Sequence, residues 1–446
     1  MTIYMKLQAK SPKEVVTEIY DSALRAVDPY NALLDQTEHI RSLYRNGNYQ
    51  RLMIIGFGKA VCSMARAMED EFMDDIAGGV AITKYGHQCG KGSVIANQER
   101  IRIVEAGHPI PDENGVKATG EIIRLLTDAD DKTLVVCLIS GGASALFVAP
   151  YEGITLADKQ KITEQLLRAG ADIYELNSLR KHISRVKGGR LAEIASPAKI
   201  VSLILSDVIG DRIDVIASGP TAPDKSTFRD AIMVLEKCGL LEKAPKSVLH
   251  ILKKGSEGLI PETPKERNAV FGNVENIIVG SNKTALAAAR RKAEEIGLRT
   301  EILSSGVTGE AKDAGRWLAR TAKDLKAKSF KDAICLISGG ETTVTVRGNG
   351  LGGRNMELAL SFAMEIDGVG GITFLSAGTD GTDGPTDAAG AIIDGHTIRK
   401  ARAAGLDPIN YLNNNDSYRF FKKVDELFVT GPTGTNVMDV QIVLIE

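Results

Sequence analysis

Short runs of valine, isoleucine and leucine alternate with amphipathic stretches along almost the whole chain, and this alternation constrains the fold more than any other feature. Such runs read as strands buried on both faces. Strands separated by helices favour a parallel sheet covered on both sides, because each crossover lays its helix across a face. The first half is therefore expected to be a doubly wound α/β sheet, with strands at about 51–56, 79–83, 101–105, 133–139 and 199–205 and helices at about 59–72, 113–127, 156–185 and 226–239. Two amphipathic helices precede it over about 12–45, started by Ser11-Pro12 and separated near Asp28-Pro29. The glycines, prolines and charges of KKGSEGLIPETPKERNAVFGN (253–273) break both periodicities and mark a linker. Beyond it a second α/β series is expected, with strands at about 275–279, 299–303, 332–337, 342–346, 372–376 and 437–445 and helices at about 282–296, 309–328 and 354–365. At 446 residues the chain exceeds what one hydrophobic core supports, so two domains are predicted, 1–255 and 274–446, joined by 256–273.

A hydrophobic content of 43% with 25% charged residues is ordinary for a soluble globular protein. The formal net charge of -2 makes no electrostatic case for nucleic acid or an anionic membrane, so any anionic ligand must be bound by local charge. The cysteines Cys62, Cys89, Cys137, Cys238 and Cys335 are scattered, and neither a disulfide framework nor a zinc spacing is visible. The N-terminus lacks the apolar core of a signal peptide, and no apolar run approaches the roughly 20 residues that span a bilayer. A soluble protein of the reducing cytoplasm is expected.

The hexapeptide CLISGG occurs at 137–142 and again at 335–340. In each copy a buried strand ends in a glycine turn that lets a ligand approach the backbone, which suggests two anion-binding corners. Around the first, Ser140 and Ser144 add hydroxyl groups to Gly141 and Gly142. In the second, Ser338, Gly339 and Gly340 are followed by Glu341, so a carboxylate joins the corner and a metal or a hydroxyl-bearing substrate becomes conceivable. In RLMIIGFGKA (51–60) a strand runs into Gly56-Phe57-Gly58, and Lys59 opens a helix, so amides, the helix dipole and an ammonium could face one anion. The turn is not a Walker A loop, since Met53 stands where the leading glycine belongs, nor a complete dinucleotide fingerprint, since Val61 takes the third glycine's place. A tight strand-to-helix turn with a surface lysine explains it equally well.

Asp207 and Asp211 follow the strand IVSLIL, at the carboxyl end where open α/β sheets bind ligands. In GLGGRNMELAL (350–360) Arg354 and Asn355 begin a helix, and an arginine there conflicts with the positive dipole end unless an anion is bound. SAGTDGTDGPTDAAG (376–390) places Asp380, Asp383 and Asp387 after another strand; the spacing misses the calcium-loop pattern, but magnesium on a nucleotide needs only one or two carboxylates. The segment TGPTGTNVMDVQIVL (430–444), with Asp439 and Gln441, is compatible with a purely structural turn and strand, and His108 and His182 stand isolated. Glycine turns, cations at helix starts and acidic loops together describe phosphoryl transfer, in which the protein positions two substrates and neutralises spreading negative charge.

Taken in order, GFGKA, LISGGASAL, NSLRKHISRVKGGRLA, LSDVIGD, ASGPTAPD, LISGGETTV, GLGGRNMELAL, SAGTDGTDGPTDAAGA and TGPTGTNVMDVQI resemble the glycerate 2-kinases of the MOFRL type, formerly often labelled hydroxypyruvate reductases. The resemblance runs from about residue 12 to the end. It implies an N-terminal Rossmann-like domain and a C-terminal α/β MOFRL domain with the active site in the cleft between them. It further implies transfer of the γ-phosphoryl group of ATP to the 2-hydroxyl of D-glycerate by a monomer or homodimer. By analogy Lys59 and Arg354 are the catalytic pair. The triphosphate is expected near Gly58, Ser140, Gly141, Gly142 and Ser144, with Lys187, Gly188 and Gly189 nearby, and Ser338, Gly339, Gly340 and Asn355 complete the expected binding set. Asp207 is expected to polarise the glycerate hydroxyl or to hold magnesium, and Asp380, Glu341 and Asp211 are the remaining metal candidates. Two rivals remain: an NAD(P)-dependent hydroxypyruvate reductase, which needs the fingerprint that GFGKAV supplies poorly, and a non-catalytic module sensing a sugar acid or nucleotide.

Overall fold

The computed structural model describes residues 10–87, 100–328 and 332–446. It divides into two compact units, Pro29–Val279 and a second made of Met1–Asp28 with Gly280–Glu446.

In the first unit the strands β1 (Arg51–Phe57), β2 (Ile76–Lys84), β3 (Ile101–Ala106), β4 (Thr133–Ile139), β5 (Lys199–Leu205) and β6 (Val274–Gly280) lie in the order β3-β2-β1-β4-β5-β6. The pairs from β3 to β5 are parallel. Alternation along each strand feeds two cores. Met53, Ile55 and Phe57 of β1 pack with Ala118, Ile122 and Leu126 of helix Glu113–Thr127, whereas Leu52 and Ile54 pack with Met64, Met68 and Phe72 of helix Val61–Phe72. Burial of both faces is what makes the strands read as continuous apolar runs. Beside the sheet, helices Leu156–Arg168, Ile173–His182, Phe228–Lys237 and Lys246–Ser256 build a separate apolar cluster. The single helix expected over 156–185 is therefore two. Gly170, at φ 77, ends the first, and Asp172 caps the second by accepting from the backbone of Tyr174 and Glu175.

The second unit contains β7 (Arg299–Val307), β8 (Ile334–Gly340), β9 (Ile372–Gly378), β10 (Gly390–Asp394), β11 (Leu427–Phe428) and β12 (Asp439–Ile445), in the order β11-β10-β9-β12-β8-β7. This sheet is mixed: β7 and β8 are parallel, and β12 runs antiparallel between β8 and β9. The amino end of β12 consequently meets the carboxyl ends of both neighbours, with Asp439 in register with Gly340 and Gly378. The strand expected at 342–346 does not form, because Gly340, at φ 147, turns the chain out of the sheet and only Thr343 regains a bridge, to Glu310.

The unit bounds differ from the expected domains in two places. Helix Pro12–Arg25 belongs with the second unit, where Tyr20 donates to Gly378 O at 2.7 Å and Val27 O accepts from Thr435 Oγ1 at 2.7 Å. Strand β6, expected to open the second domain, instead completes the first sheet beside β5. Local pattern cannot report which sheet a strand joins. Cys62 is disulfide-bonded, contrary to the reading of the cysteine spacing, while Cys137, Cys238 and Cys335 are free and Cys89 lies outside the described residues. Among the described residues no helix is long and apolar enough to cross a membrane.

Candidate active site

In the Pro29–Val279 unit the centre forms where β1 and β4 end side by side. Gly58 has φ 141, and a Cβ there would sit 2.1 Å from Ser140 Oγ, so only glycine lets the two turns meet. The turns are laced together: Lys59 N–H donates to Gly141 O at 2.9 Å, and Ala60 N–H donates to Ser140 Oγ at 3.0 Å. Ser140 thus uses its hydroxyl to cap the start of helix Val61–Phe72, whose N-cap position, Ala60, has no side-chain acceptor of its own. The first CLISGG copy turns through Gly141 and Gly142. A Cβ on Gly141 would lie 2.2 Å from Asp207 Oδ2, and one on Gly142 would lie 3.0 Å from the His108 ring and 3.2 Å from Lys59 Cγ. Lys59, His108 and Asp207 therefore surround one turn.

Burial raises the pKa of Asp207, and the Lys59 charge opposes that rise. Burial, with the charges of Lys59, Lys84 and His87, pushes His108 down to about 4, so its ring is neutral at neutral pH. His87 is also lowered, first by burial and then by Lys84, although it hydrogen-bonds the backbone of Lys59. Nothing in the local pattern marks His87 or His108 as neighbours of Lys59; the fold brings them together.

A second polar corner adjoins the first. Ser144 Oγ lies 3.1 Å from Ser218 Oγ, and Ser218 donates to Asn177 Oδ1 at 2.9 Å. Gly188 and Gly189, expected near the triphosphate, donate their amides to Ser218 O and Gly219 O at 3.0 and 2.7 Å. They hold the Ser218 turn in place. Lys187 is wholly buried and donates to Ala217 O at 3.3 Å. Asp211, at φ 55, sits in the turn after Val208.

In the other unit the centre is Arg354, at the start of helix Arg354–Glu365. Its guanidinium grips Asp439 with Nε at 2.6 Å and a terminal nitrogen at 2.9 Å, and the other terminal nitrogen lies 3.3 Å from Glu341. Burial lowers the Arg354 pKa, but the hydrogen bonds and charge of Asp439, with Glu341 and Asp383, outweigh it and raise the value. Asp383 accepts from Asn355 N at 3.0 Å and Met356 N at 2.8 Å, so a carboxylate occupies the helix start. The conflict between Arg354 and the helix dipole is thereby answered within the protein. Burial pushes Asp383 up to about 7 despite these two amides. Asn355, only 1% exposed, binds Ser376 and is part of this scaffold rather than a free donor.

The second CLISGG copy is no open cradle. Ser338 donates to Gln441 Oε1 at 3.1 Å, a Cβ on Gly339 would meet Asn282 Oδ1 at 2.2 Å, and one on Gly340 would meet Val307 O at 2.3 Å. Its glycines allow helix Asn282–Glu295 and β7 to approach β8. Asp380 accepts from the backbone and hydroxyl of Thr382 through one oxygen. Among the described residues no three of His, Cys, Asp or Glu come together as a metal-ligand group, so Asp380, Glu341 and Asp211 form no cation cage. Sequence reasoning missed Asp439, since an aspartate at the head of a terminal strand looks like a turn residue until the strand is seen to lie between two others.

Residues 334–439 match the MOFRL family, and residues 15–253 match the family described as Domain of unknown function (DUF4147). A Thermotoga maritima protein named D-glycerate 2-kinase is 44% identical over 98% of this chain and 99% of its own. The chain belongs to the glycerate 2-kinase family. A solved glycerate kinase structure from Thermotoga maritima, 45% identical, superposes with a TM-score of 0.87 over 97% of this chain and 99% of that one. An Agrobacterium vitis relative, 39% identical over 98% of this chain and 95% of its own, carries a hydroxypyruvate reductase name. Val61 stands where the dinucleotide fingerprint has its third glycine, the one that allows close helix–strand packing, and here the valine packs on Gly56 instead, whose Cβ would lie 2.4 Å from Val61 Cγ2.

Proposed function

We propose that this chain is an ATP-dependent glycerate 2-kinase, moving the γ-phosphoryl group to the 2-hydroxyl of D-glycerate and releasing 2-phosphoglycerate and ADP. The observation that carries the reading is the convergence of Lys59, Asp207 and neutral His108 on the Gly141-Gly142 turn. A lysine carried beside a glycine turn suits a phosphoryl group whose charge spreads as it transfers. Asp207, made more basic by burial, accepts the proton of the attacking hydroxyl as the new oxygen–phosphorus bond forms and the bond to ADP breaks. Arg354 contributes a guanidinium nitrogen that among the described residues pairs with the half-exposed Glu341, and an anionic substrate group displaces that contact at little cost. Asp439 keeps the guanidinium oriented during the exchange.

A divalent ion such as magnesium, carried in by the ATP phosphates, would need only one or two ligands from the protein. Asp380, whose second carboxylate oxygen is not used in its own turn, fits that need, with Glu341 as the next candidate. The ion would neutralise charge on the β- and γ-phosphates.

The test is to incubate the purified protein with D-glycerate, ATP and magnesium, add enolase without phosphoglycerate mutase, and follow phosphoenolpyruvate. Signal establishes the kinase and the hydroxyl attacked. Signal only after mutase is added would make the enzyme a 3-kinase. If ATP is never consumed, the assignment fails.

A further inference from the structure

Apart from the Lys59 centre, the Pro29–Val279 unit buries a second group of cations. Lys159, in helix Leu156–Arg168, is 4% exposed, and among the described residues its Nζ has no hydrogen-bond partner. Lys187 is buried with a single bond, to Ala217 O. Arg180, half-buried in helix Ile173–His182, is close enough for its charge to act on both. Among the described residues no carboxylate is among the charges acting on any of the three. The same interior does pair its other buried lysine, Lys181, with Asp224 at 3.0 Å. Burial, with the neighbouring positive charge, lowers the pKa of both lysines, Lys159 to about 7, and an anion supplied from outside would restore the charge that burial disfavours.

The cluster is continuous with the Ser144 corner. Lys187 holds Ala217 O, and the next residue, Ser218, binds Asn177, which sits one turn before Arg180 on the same helix face. Ala217 and Ser218 take φ values of 55 and 63, and Gly219 follows at 63. Consecutive non-glycine residues in this conformation store strain, which persists where surrounding contacts impose it and gathers at ligand clamps.

We propose that Lys159, Arg180 and Lys187 form the polyphosphate seat of this enzyme, binding the non-transferred phosphates of ATP beside the Ser144–Ser218 corner. The identity of the polyphosphate as ATP rests on the kinase reading above. The test compares the wild type with Lys159→Met and Arg180→Gln, using inorganic tripolyphosphate as the probe in calorimetry and thermal unfolding, and ATP and D-glycerate in steady-state kinetics. Tripolyphosphate should raise the wild-type Tm and fail to raise that of either variant. The KM for ATP should rise at least about tenfold while that for D-glycerate changes less than about twofold. Without ligand, Lys159→Met should unfold at a higher temperature than the wild type, which separates lost binding from lost fold. Equal tripolyphosphate shifts in all three proteins would overturn the proposal, as would a rise confined to the KM for D-glycerate. If the wild type binds tripolyphosphate through these residues but phosphorylates no glycerate, the kinase reading fails and the seat stands.

Discussion

Replacing Arg354 with alanine should cost stability as well as turnover, and the size of the loss follows from Asp439. That carboxylate is 1% exposed, and both its oxygens are bound by Arg354, at 2.6 and 2.9 Å. Removing one partner of a buried ion pair typically costs about 3–5 kcal/mol, because the other charge is left unanswered. Protonation offers an escape: at pH 7, placing a proton on a carboxyl of ordinary acidity costs about 4 kcal/mol, which caps the penalty. The expected loss is therefore about 3–4 kcal/mol, or a Tm lower by about 10 °C for a unit of this size. Burial already raises the Asp439 pKa and Arg354 opposes it, so the variant's folded-state pKa rises further. A carboxyl with a raised folded pKa stabilises the fold below its unfolded pKa and loses that contribution as pH rises through the folded value. The deficit of Arg354→Ala should thus shrink by about 2 kcal/mol between pH 7 and pH 5. Asp439→Asn alone should cost only about 1–2 kcal/mol, since Arg354 keeps Glu341 and water. The double variant Arg354→Ala/Asp439→Asn should regain most of the lost Tm while remaining inactive. Thermal unfolding at both pH values, beside the enolase-coupled assay, reads all of this. An Arg354→Ala protein that melts with the wild type at pH 7, or a deficit that does not shrink at pH 5, would refute the reasoning.

Lys59→Ala should lower kcat by about three orders of magnitude or more with little change in Tm, because the turn is held through the Lys59 backbone rather than its ammonium; kinetics and melting on one preparation check this. Ser140→Ala should destabilise the first unit by about 1–2 kcal/mol through loss of the bond to Ala60 N–H, and its kcat/KM should fall far less than that of Lys59→Ala. Asp383, pushed up to about 7, holds its proton in the fold more tightly than in the open chain. Its contribution is full below about pH 4 and is lost by about pH 7, so the stability difference between wild type and Asp383→Asn should move in favour of the wild type as pH falls through that window, by a few kcal/mol on the order of magnitude. A pH-independent difference would show that the carboxyl is ionised throughout.

Much of the candidate site is announced by local pattern, and the features that pattern misses share one cause. GFGKA, the first SGG turn and LSDVIGD each announce themselves because a strand ends and a glycine or charged residue follows at once. The repeated CLISGG misleads for the same reason. The two copies share a sequence but not a conformation: the first leaves its strand at Ile139 and turns through Gly142 at φ 84, whereas the second stays in β8 through Gly340, and Gly141 faces Asp207 while Gly339 faces Asn282. Lys159 was invisible as a candidate because a lysine in an amphipathic helix ordinarily points to water. Asp439 and Asp383 were undervalued because their roles depend on a strand and a helix distant in sequence.

The chain's own pattern settles what depends on near neighbours: the alternation of strand and helix, the two-sided burial of β1 and β4, and the glycines that end them. Tertiary structure alone decides what depends on pairing across long separations. It assigns β6 to the first sheet and helix Pro12–Arg25 to the second unit, and it inserts the last strand between β8 and β9 so that Asp439 reaches Arg354. The physical reason is that propensity and periodicity act over a few residues, whereas the partner of an edge strand or a buried charge is chosen by the packing of the whole unit.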